Sequence, residues 1–405
     1  MLVNGSNFTT IWIESDNQKV KIIDQRLLPH ELKVVTLNTV NDVEFAIREM
    51  QVRGAPLIGV AAAFGMYIAA LENPSLEHLS KSADFLLKSR PTAVNLSWAI
   101  NKINLEIKDI NKEDRTKHIL NMAKKIRQDE IEACSNIGDY GLELIKKIYD
   151  KKKSKINILT HCNAGWLAAV EWGTALAPIF KANNNNIPIH VWVDETRPRN
   201  QGFNLTAWEL INENIDCSLV VDNVGGHLMQ HNLVDMCIVG TDRTTLTGDV
   251  CNKIGTYLKA LAAADNNIPF YVAAPTSSID FNVRNGISDI PIEERDPKEV
   301  SQVTGIDENK KISTIKIVPE NSKSVNYAFD VTPSKYISKL ITEKGVIDAN
   351  EKSIKGLKDS QQVTYKLSEL DDEKQDSVRF RFRYFQEIKG EFVIAACVKS
   401  DMCLE

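Results

Sequence analysis

Short apolar runs, each closed by a polar or acidic residue, set the pattern of the middle of the chain. They are Ile156 to His161 before Cys162, and Ile187 to Val193 before Asp194-Glu195-Thr196-Arg197. Cys217 to Val221 precedes Asp222-Asn223, Met236 to Thr241 precedes Asp242, and Ile268 to Ala274 precedes Pro275-Thr276. Helix-like stretches fill the intervals. Strand alternating with helix predicts an α/β fold with a parallel sheet. Such sheets bind ligands beyond the carboxyl ends of their strands. A thiol, several carboxylates and two arginines are therefore expected to converge on one crevice, a setting for acid–base chemistry on a small polar molecule.

The flanking regions read differently. Thr10–Ile13, Val20–Ile23 and Leu32–Val35 alternate enough to predict a small antiparallel sheet. From Val40 helical periodicity dominates. Arg53-Gly54-Ala55-Pro56 ends one helix and starts the next, with Pro suited to a first helical turn. Arg90-Pro91-Thr92 makes a second break. Residues 113–149 read as one or two amphipathic helices running into a charged connector at Asp150-Lys151-Lys152-Lys153. Beyond Phe329-Asp330-Val331-Thr332-Pro333 a further helix is expected over Ser334 to Lys344. The end shows two strand-like runs, Val378 to Phe385 and Glu391 to Val398, with Glu387-Ile388-Lys389-Gly390 between them. The predicted organisation is a small N-terminal α+β domain over residues 1–125, a parallel-sheet domain over 126–350 and a C-terminal extension over 351–405.

Ala55 to Leu71 carries no charge, so it is the one stretch that raises a membrane span. It is short for that, rich in Ala and Gly and contains Pro56, which favours a buried helix. With 405 residues there is room for two domains and a large core. A net charge of −5 gives no reason to expect nucleic-acid binding. The 7 cysteines are scattered without a Cys-x-x-Cys, against a disulfide framework or zinc site and in keeping with a reducing, cytoplasmic location. Met1-Leu2-Val3-Asn4-Gly5 shows no basic region leading into an apolar core, so no signal peptide is expected.

Two residues stand out chemically. Cys162 follows a strand and precedes a helix expected to start near Gly165, whose N-terminus would lower a thiol's pKa. Its polar neighbours Thr160, His161 and Asn163 favour function, whereas Cys134, Cys217, Cys237, Cys251 and Cys397 read as small buried hydrophobes. Asp242 fits either a general acid–base or a helix cap. Arg243 beside it would hold the carboxylate ionised. Anion contacts are expected from Arg53, Gly54 and Ala55, with Arg90 and Gln201 completing the pocket. Asn252 and Lys253 are expected at the start of a helix running through Ala264, where phosphates commonly sit. Neither a G-x-G-x-x-G nor a P-loop sequence is present, which lowers the odds of a nicotinamide or P-loop enzyme. His227 and His231 have metal-ligand spacing but read as ordinary histidines.

Taken in order, these segments resemble the methylthioribose-1-phosphate isomerase family, in a wider group with ribose-1,5-bisphosphate isomerases and regulatory subunits of the translation initiation exchange factor. The resemblance rests on Gln51-Val52-Arg53-Gly54-Ala55-Pro56, Arg90-Pro91-Thr92, Thr160-His161-Cys162-Asn163 and Asp194-Glu195-Thr196-Arg197-Pro198-Arg199. It continues through Thr206-Ala207-Trp208-Glu209-Leu210, Gly240-Thr241-Asp242-Arg243, Gly248-Asp249 with Asn252-Lys253, Pro291-Ile292-Glu293-Glu294-Arg295 and Phe329-Asp330-Val331-Thr332-Pro333. It implies that residues 126–350 form a Rossmann-like catalytic domain, and a homodimer that converts 5-methylthioribose 1-phosphate to 5-methylthioribulose 1-phosphate in methionine salvage, with no metal or nucleotide cofactor. It also implies Cys162 and Asp242 as catalytic pair, and Arg53, Gly54, Ala55, Arg90, Gln201, Asn252 and Lys253 as substrate and phosphate contacts. Trp166 and Thr241 depart from the commoner family wording, are expected to reshape the pocket and leave the 5-substituent open. Other readings are an isomerase of 5-deoxyribose 1-phosphate or ribose 1,5-bisphosphate, and a non-catalytic regulatory subunit.

Overall fold

A computed structural model describes residues 1–90, 94–359, 386–388 and 391–393. The chain divides into two compact units, Met1–Asn350 and Glu351–Glu405. In the first, strands β1 (Ile11–Ile13), β2 (Val20–Ile23) and β3 (Val34–Leu37) form the expected antiparallel sheet. Helix α1 (Val40–Arg48) starts at a Thr39–Asp42 capping box, in which each side chain meets the other's backbone N–H. Helices α2 (Ala55–Glu72), α3 (Leu76–Leu87) and α4 (Val94–Glu106) follow.

Helix α2 is apolar all round because it is enclosed all round: Leu57, Val60, Ala61, Phe64 and Met66 are buried within the helical layer. It has the length and hydropathy of a membrane span, yet 89% of that window is buried inside the protein.

Helix α5 (Lys112–Lys152) is one continuous helix of 41 residues, where the periodicity allowed one or two. Two cores explain its length. Ile119, Ala123 and Ile126 pack into the core of the helical layer, and Ile137, Leu142 and Ile145 into that of the large sheet. Residues 125 and 126 are therefore consecutive positions on one helix. It ends at Lys153 in the left-handed region, φ 53°.

The sheet beyond α5 contains all the strands read from the apolar runs. These are β4 (Ile156–Thr160), β5 (Ile189–Asp194), β6 (Cys217–Val220), β7 (Met236–Val239) and, after β8 (Arg243–Thr245) and β9 (Val250–Lys253), β10 (Phe270–Ala273). Helices Ala177–Asn184, Ala207–Asn212, Gly225–Gln230 and Thr256–Asp265 connect them, numbered α6 to α9. Beyond β11 (Ile279–Asp280), Gln302–Ile306 and Ile312–Lys316 pair as the hairpin β12–β13. They are followed by β14 (Phe329–Thr332), β15 (Lys339–Thr342) and β16 (Gly345–Ile347).

The large sheet has 7 strands in the order β16-β15-β10-β7-β4-β5-β6. Every pairing is parallel except β15 with β16. From β4 the chain proceeds outward through β5 and β6, then returns to the other side of β4 with β7. The order reverses between β4 and β7, which places a binding crevice beyond their carboxyl ends. A smaller sheet, β11-β8-β9-β14, lies next in the chain path and carries part of that crevice.

Ser334 to Lys344 is not a helix. Ser334–Tyr336 makes a single 3-10 turn, and β15 follows. Ile337, Leu340 and Ile341 fit helical spacing, but β10 offers an unpaired edge, and Val272 and Ala273 register against Leu340 and Ile341. Both of the latter are fully buried, one toward each face of the sheet. In the second unit, helix α10 (Glu351–Asp359) and a ribbon of Gln386–Ile388 with Glu391–Val393 are described. The expected strand Val378 to Phe385, Lys389-Gly390 and the continuation to Val398 lie outside the described residues.

Candidate active site

Cys162 follows β4 and Asp242 follows β7, the two strands that flank the reversal of sheet order. Both line one cleft of about 600 Å³, together with Arg53, Gly54, Ala55, Arg90, Gln201, Asn252 and Lys253. Every residue singled out for catalysis or substrate contact thus reaches the same space. The walls between them include Met50, Pro56, Ala164, Ala168, Ala169 and Phe329, so the lining is cationic and apolar.

Arg53 is placed by the break between α1 and α2. Gly54 caps α2 with φ 91°, and a Cβ there would run into the Ala168 backbone, so only glycine lets the turn close against that loop. The Arg53 side chain is 5% exposed, and its Nε and Nη2 have no hydrogen-bond partner among the described residues. Burial pulls its pKa down, while Cys162, Glu209 and Asp242 pull it up. Arg90 precedes α4 and lies 3.4 Å from Glu293 Oε2 through Nε. Lys253 donates to the Ala328 carbonyl at 2.9 Å and sits over the Phe329 ring at 4.7 Å.

Asn252 and Lys253 do not open a helix as expected. They end strand β9, and α9 begins at Thr256. The N–H groups at that helix start are taken by a carboxylate of the protein itself: Asp330 accepts from Gly255 N at 2.7 Å and Tyr257 N at 3.2 Å. Anion binding here falls to side chains rather than to a helix end. Asn252 Nδ2 is turned back to Thr256 Oγ1 at 3.0 Å.

The thiol corrects a second expectation. No helix starts at Gly165; Trp166–Ala168 forms one 3-10 turn whose Trp166 and Leu167 N–H groups go to the Glu209 carboxylate. Burial raises the Cys162 pKa, and Arg53 and Lys253 oppose that by favouring the thiolate. The thiol donates to Gln201 Oε1 at 3.3 Å. Asp242 is also raised, by burial first, with Lys253, Arg90 and Arg53 pulling the other way. Arg243 is not its partner and pairs with Asp280 at 3.5 Å.

The other strand-end groups serve the scaffold. Arg197 donates to the Pro198 and Val300 carbonyls. Asp222 accepts the Thr196 and Arg197 N–H groups. Asp194, fully buried, lies 2.9 Å from His161 Nδ1 and 3.0 Å from Lys259 Nζ. His161, Asp194 and Asp222 bring metal-type donors together, with the Lys259 ammonium paired to Asp194. Trp166, expected in the pocket, is buried against Trp208 with ring centroids 6.0 Å apart, whereas Thr241 does line the cleft. His161 and Glu209 were not singled out from the sequence. Their signal was position alone, inside the Thr-His-Cys-Asn and Thr-Ala-Trp-Glu-Leu segments.

The description "Initiation factor 2 subunit family" matches residues 51–349, and this sheet with its crevice makes the chain a protein of that class. The methylthioribose-1-phosphate isomerase of Sinorhizobium medicae is 53% identical over 359 residues, covering 88% of this chain and 99% of that protein. The enzyme of the same name from Escherichia coli is 51% identical over 356 residues, 87% of this chain and 95% of its own. The crystal structure of 5-methylthioribose 1-phosphate isomerase from Pyrococcus horikoshii superposes with TM-score 0.76 at 38% identity, covering 88% of this chain and 97% of that one. A structure of translation initiation factor eIF-2B, subunit delta, from A. fulgidus gives 0.69 at 39% identity, over 84% and 96%. The chain belongs to the methylthioribose-1-phosphate isomerase family and is an aldose–ketose isomerase.

Proposed function

We propose that this protein converts 5-methylthioribose 1-phosphate to 5-methylthioribulose 1-phosphate in methionine salvage, with Cys162 and Asp242 as catalytic pair. The observation that carries the reading is Arg53, a buried guanidinium on the cleft whose Nε and Nη2 have no hydrogen-bond partner among the described residues. A phosphate oxygen satisfies them, and Arg90 and Lys253 add charge. The apolar walls suit a methylthio group better than a second phosphate, which favours this substrate over ribose 1,5-bisphosphate.

The anomeric oxygen of the substrate carries phosphate, so the ring cannot open to a free aldehyde. In this reading Asp242 starts protonated, the form that burial favours, and gives its proton to the ring oxygen, so that C1 becomes cationic. Hydrogen then moves from C2 to C1. If Cys162 is ionised, with Arg53 and Lys253 stabilising the thiolate, it takes the C2 proton and returns it to C1. If the thiol keeps its proton, the hydrogen passes directly as hydride. In both routes the Asp242 carboxylate recovers a proton from the C2 hydroxyl as the ketone forms, and the enzyme is restored. The enclosed lining keeps water from the cation.

The test is ketose formation by purified protein without added cofactor, followed by proton NMR in heavy water. Ketose from the methylthio substrate supports the proposal, and its absence with binding retained would leave a regulatory sugar-phosphate sensor. Deuterium at C1 marks transfer through Cys162, whereas protium at C1 fits either internal return by the thiol or a hydride shift. The family resemblance also supports a homodimer, for which light scattering would read twice the 45.4 kDa chain mass.

A further inference from the structure

Cys162 sits in the left-handed region at φ 66°, and so does Thr196 at φ 61°. L-residues with a Cβ seldom hold that conformation unless their surroundings impose it, and for a β-branched residue it is an outlier. The surroundings are unusually complete. Thr196 Oγ1 accepts the Cys162 N–H at 2.9 Å and donates to the Asp194 carbonyl at 3.1 Å. The Thr206 hydroxyl donates to the Cys162 carbonyl at 2.7 Å and accepts from Asn163 Nδ2 at 3.2 Å. Glu209 accepts from Asn163 Nδ2 at 2.7 Å, Trp166 N at 2.9 Å and Leu167 N at 3.1 Å.

Both backbone polar groups of Cys162 are thus bound by threonine hydroxyls, and the next residues by one carboxylate. Thr196, Thr206 and Glu209 are fully buried, and none of them lines the cleft. They reach the substrate only through what they hold. Gly165 marks the tightness of the arrangement, since a Cβ there would collide with the Glu209 carboxylate. A positive φ sets the direction of the Cα–Cβ bond. Relaxation of Cys162 to an ordinary conformation would swing the sulfur off its line to Gln201 and into a different part of the cleft.

We propose that Thr196, Thr206 and Glu209 form a clamp that locks Cys162 in its left-handed conformation, making them positioning residues for the isomerisation. The proposal rests on the reading of Cys162 as catalytic. Glu209 also feels the positive charge of Arg53 through space, so the carboxylate that holds the thiol loop faces the arginine of the cleft.

The experiment compares T196V, T206V and E209Q with the rescue variants T196S and T206S and with C162A, each checked for folding by circular dichroism. Turnover of 5-methylthioribose 1-phosphate and the rate of Cys162 alkylation by iodoacetamide across pH are both measured. The valine variants are expected to lose kcat by about 10- to 100-fold with KM little changed, the scale of a displacement near 1 Å at a reacting group. The serine variants recover most of that loss. The valine changes cause no further loss in a C162A background, because they act through the same sulfur. The alkylation profile shifts in T196V and T206V and returns in the serine variants. Unchanged kcat and unchanged alkylation in soluble T196V and T206V, with C162A inactive, would overturn the clamp and leave the catalytic reading intact. Full activity of C162A would overturn the catalytic reading itself. Should E209Q fail to fold, the threonine pairs carry the test alone.

Discussion

Among the described residues, an acid and a thiol stand near each other both in helix α5 and in the cleft. In α5, Cys134 donates to Glu130 Oε1 at 3.4 Å, both side chains being enclosed. Burial pushes Glu130 up to about 7, with Glu343 and Asp129 adding to it, and pushes the Cys134 thiol well up with Glu130 as the next cause. In the cleft, Asp242 and Cys162 are raised by burial too, but their neighbours are Arg53, Lys253 and Arg90. Desolvation alone therefore favours the neutral forms of the acid and the thiol. Buried cations beside the second pair supply what the first lacks, a reason for an anion to enter and a way to steady charge that develops in the reaction.

The largest contrast is in turnover. C162A and D242N should each lower kcat by about 10³-fold, within the range lost with a general acid or base, while substrate binding persists. C134A should leave kcat unchanged. Steady-state kinetics on the three variants checks this, and loss of turnover in C134A would break the comparison.

The next effect is on stability. Glu130 holds its proton more tightly when folded, with its pKa raised from 4.5 to about 7. The stability it contributes is complete below about 4.5 and is lost as pH rises through about 7. The loss amounts to about 3 kcal/mol for this group, an upper figure for a shift of that size. Glu209, raised to about 7 as well, adds the same slope from behind the Cys162 loop. Denaturant unfolding between pH 5 and 8 should show E130Q flattening part of the decline; an unchanged slope would mean the carboxyl is hydrated in solution.

A smaller loss is expected from R53Q, about 100-fold in kcat/KM, as for removal of a charge-assisted pair. Added inorganic phosphate should protect the wild-type protein against thermal unfolding and should not protect R53Q. The least effect is that of C134A on stability, about 1 kcal/mol.

Much of this was legible in the chain. The apolar runs located β4, β5, β7 and β10 because strands buried on both faces must be apolar along their whole length, and located β6 as well, although it is a partly exposed edge strand. Strand ends plus the rule for parallel sheets led to Cys162 and Asp242, and the anion-binding chemistry of Arg53, Arg90 and Lys253 pointed to the remaining contacts, which the family resemblance also implies. Periodicity failed where two elements fit the same spacing. Ser334 to Lys344 became β15 because an open sheet edge was available, and Asn252-Lys253 ended a strand because β14 pairs with it. Neither partner is local in sequence.

The sequence by itself determined which residue types stand at each strand end, since burial and alternation act on neighbouring positions. Only the tertiary structure decided what those residues meet. It assigned Arg243 to Asp280 rather than Asp242, filled the start of α9 with Asp330, and enclosed Trp166 in the core. It also set the thiol above its ordinary pKa rather than below it. Desolvation and charge pairing depend on distance through space, and residues such as Arg53, Glu209 and Lys253 come together only when the sheet order reverses and the helical layer closes over it.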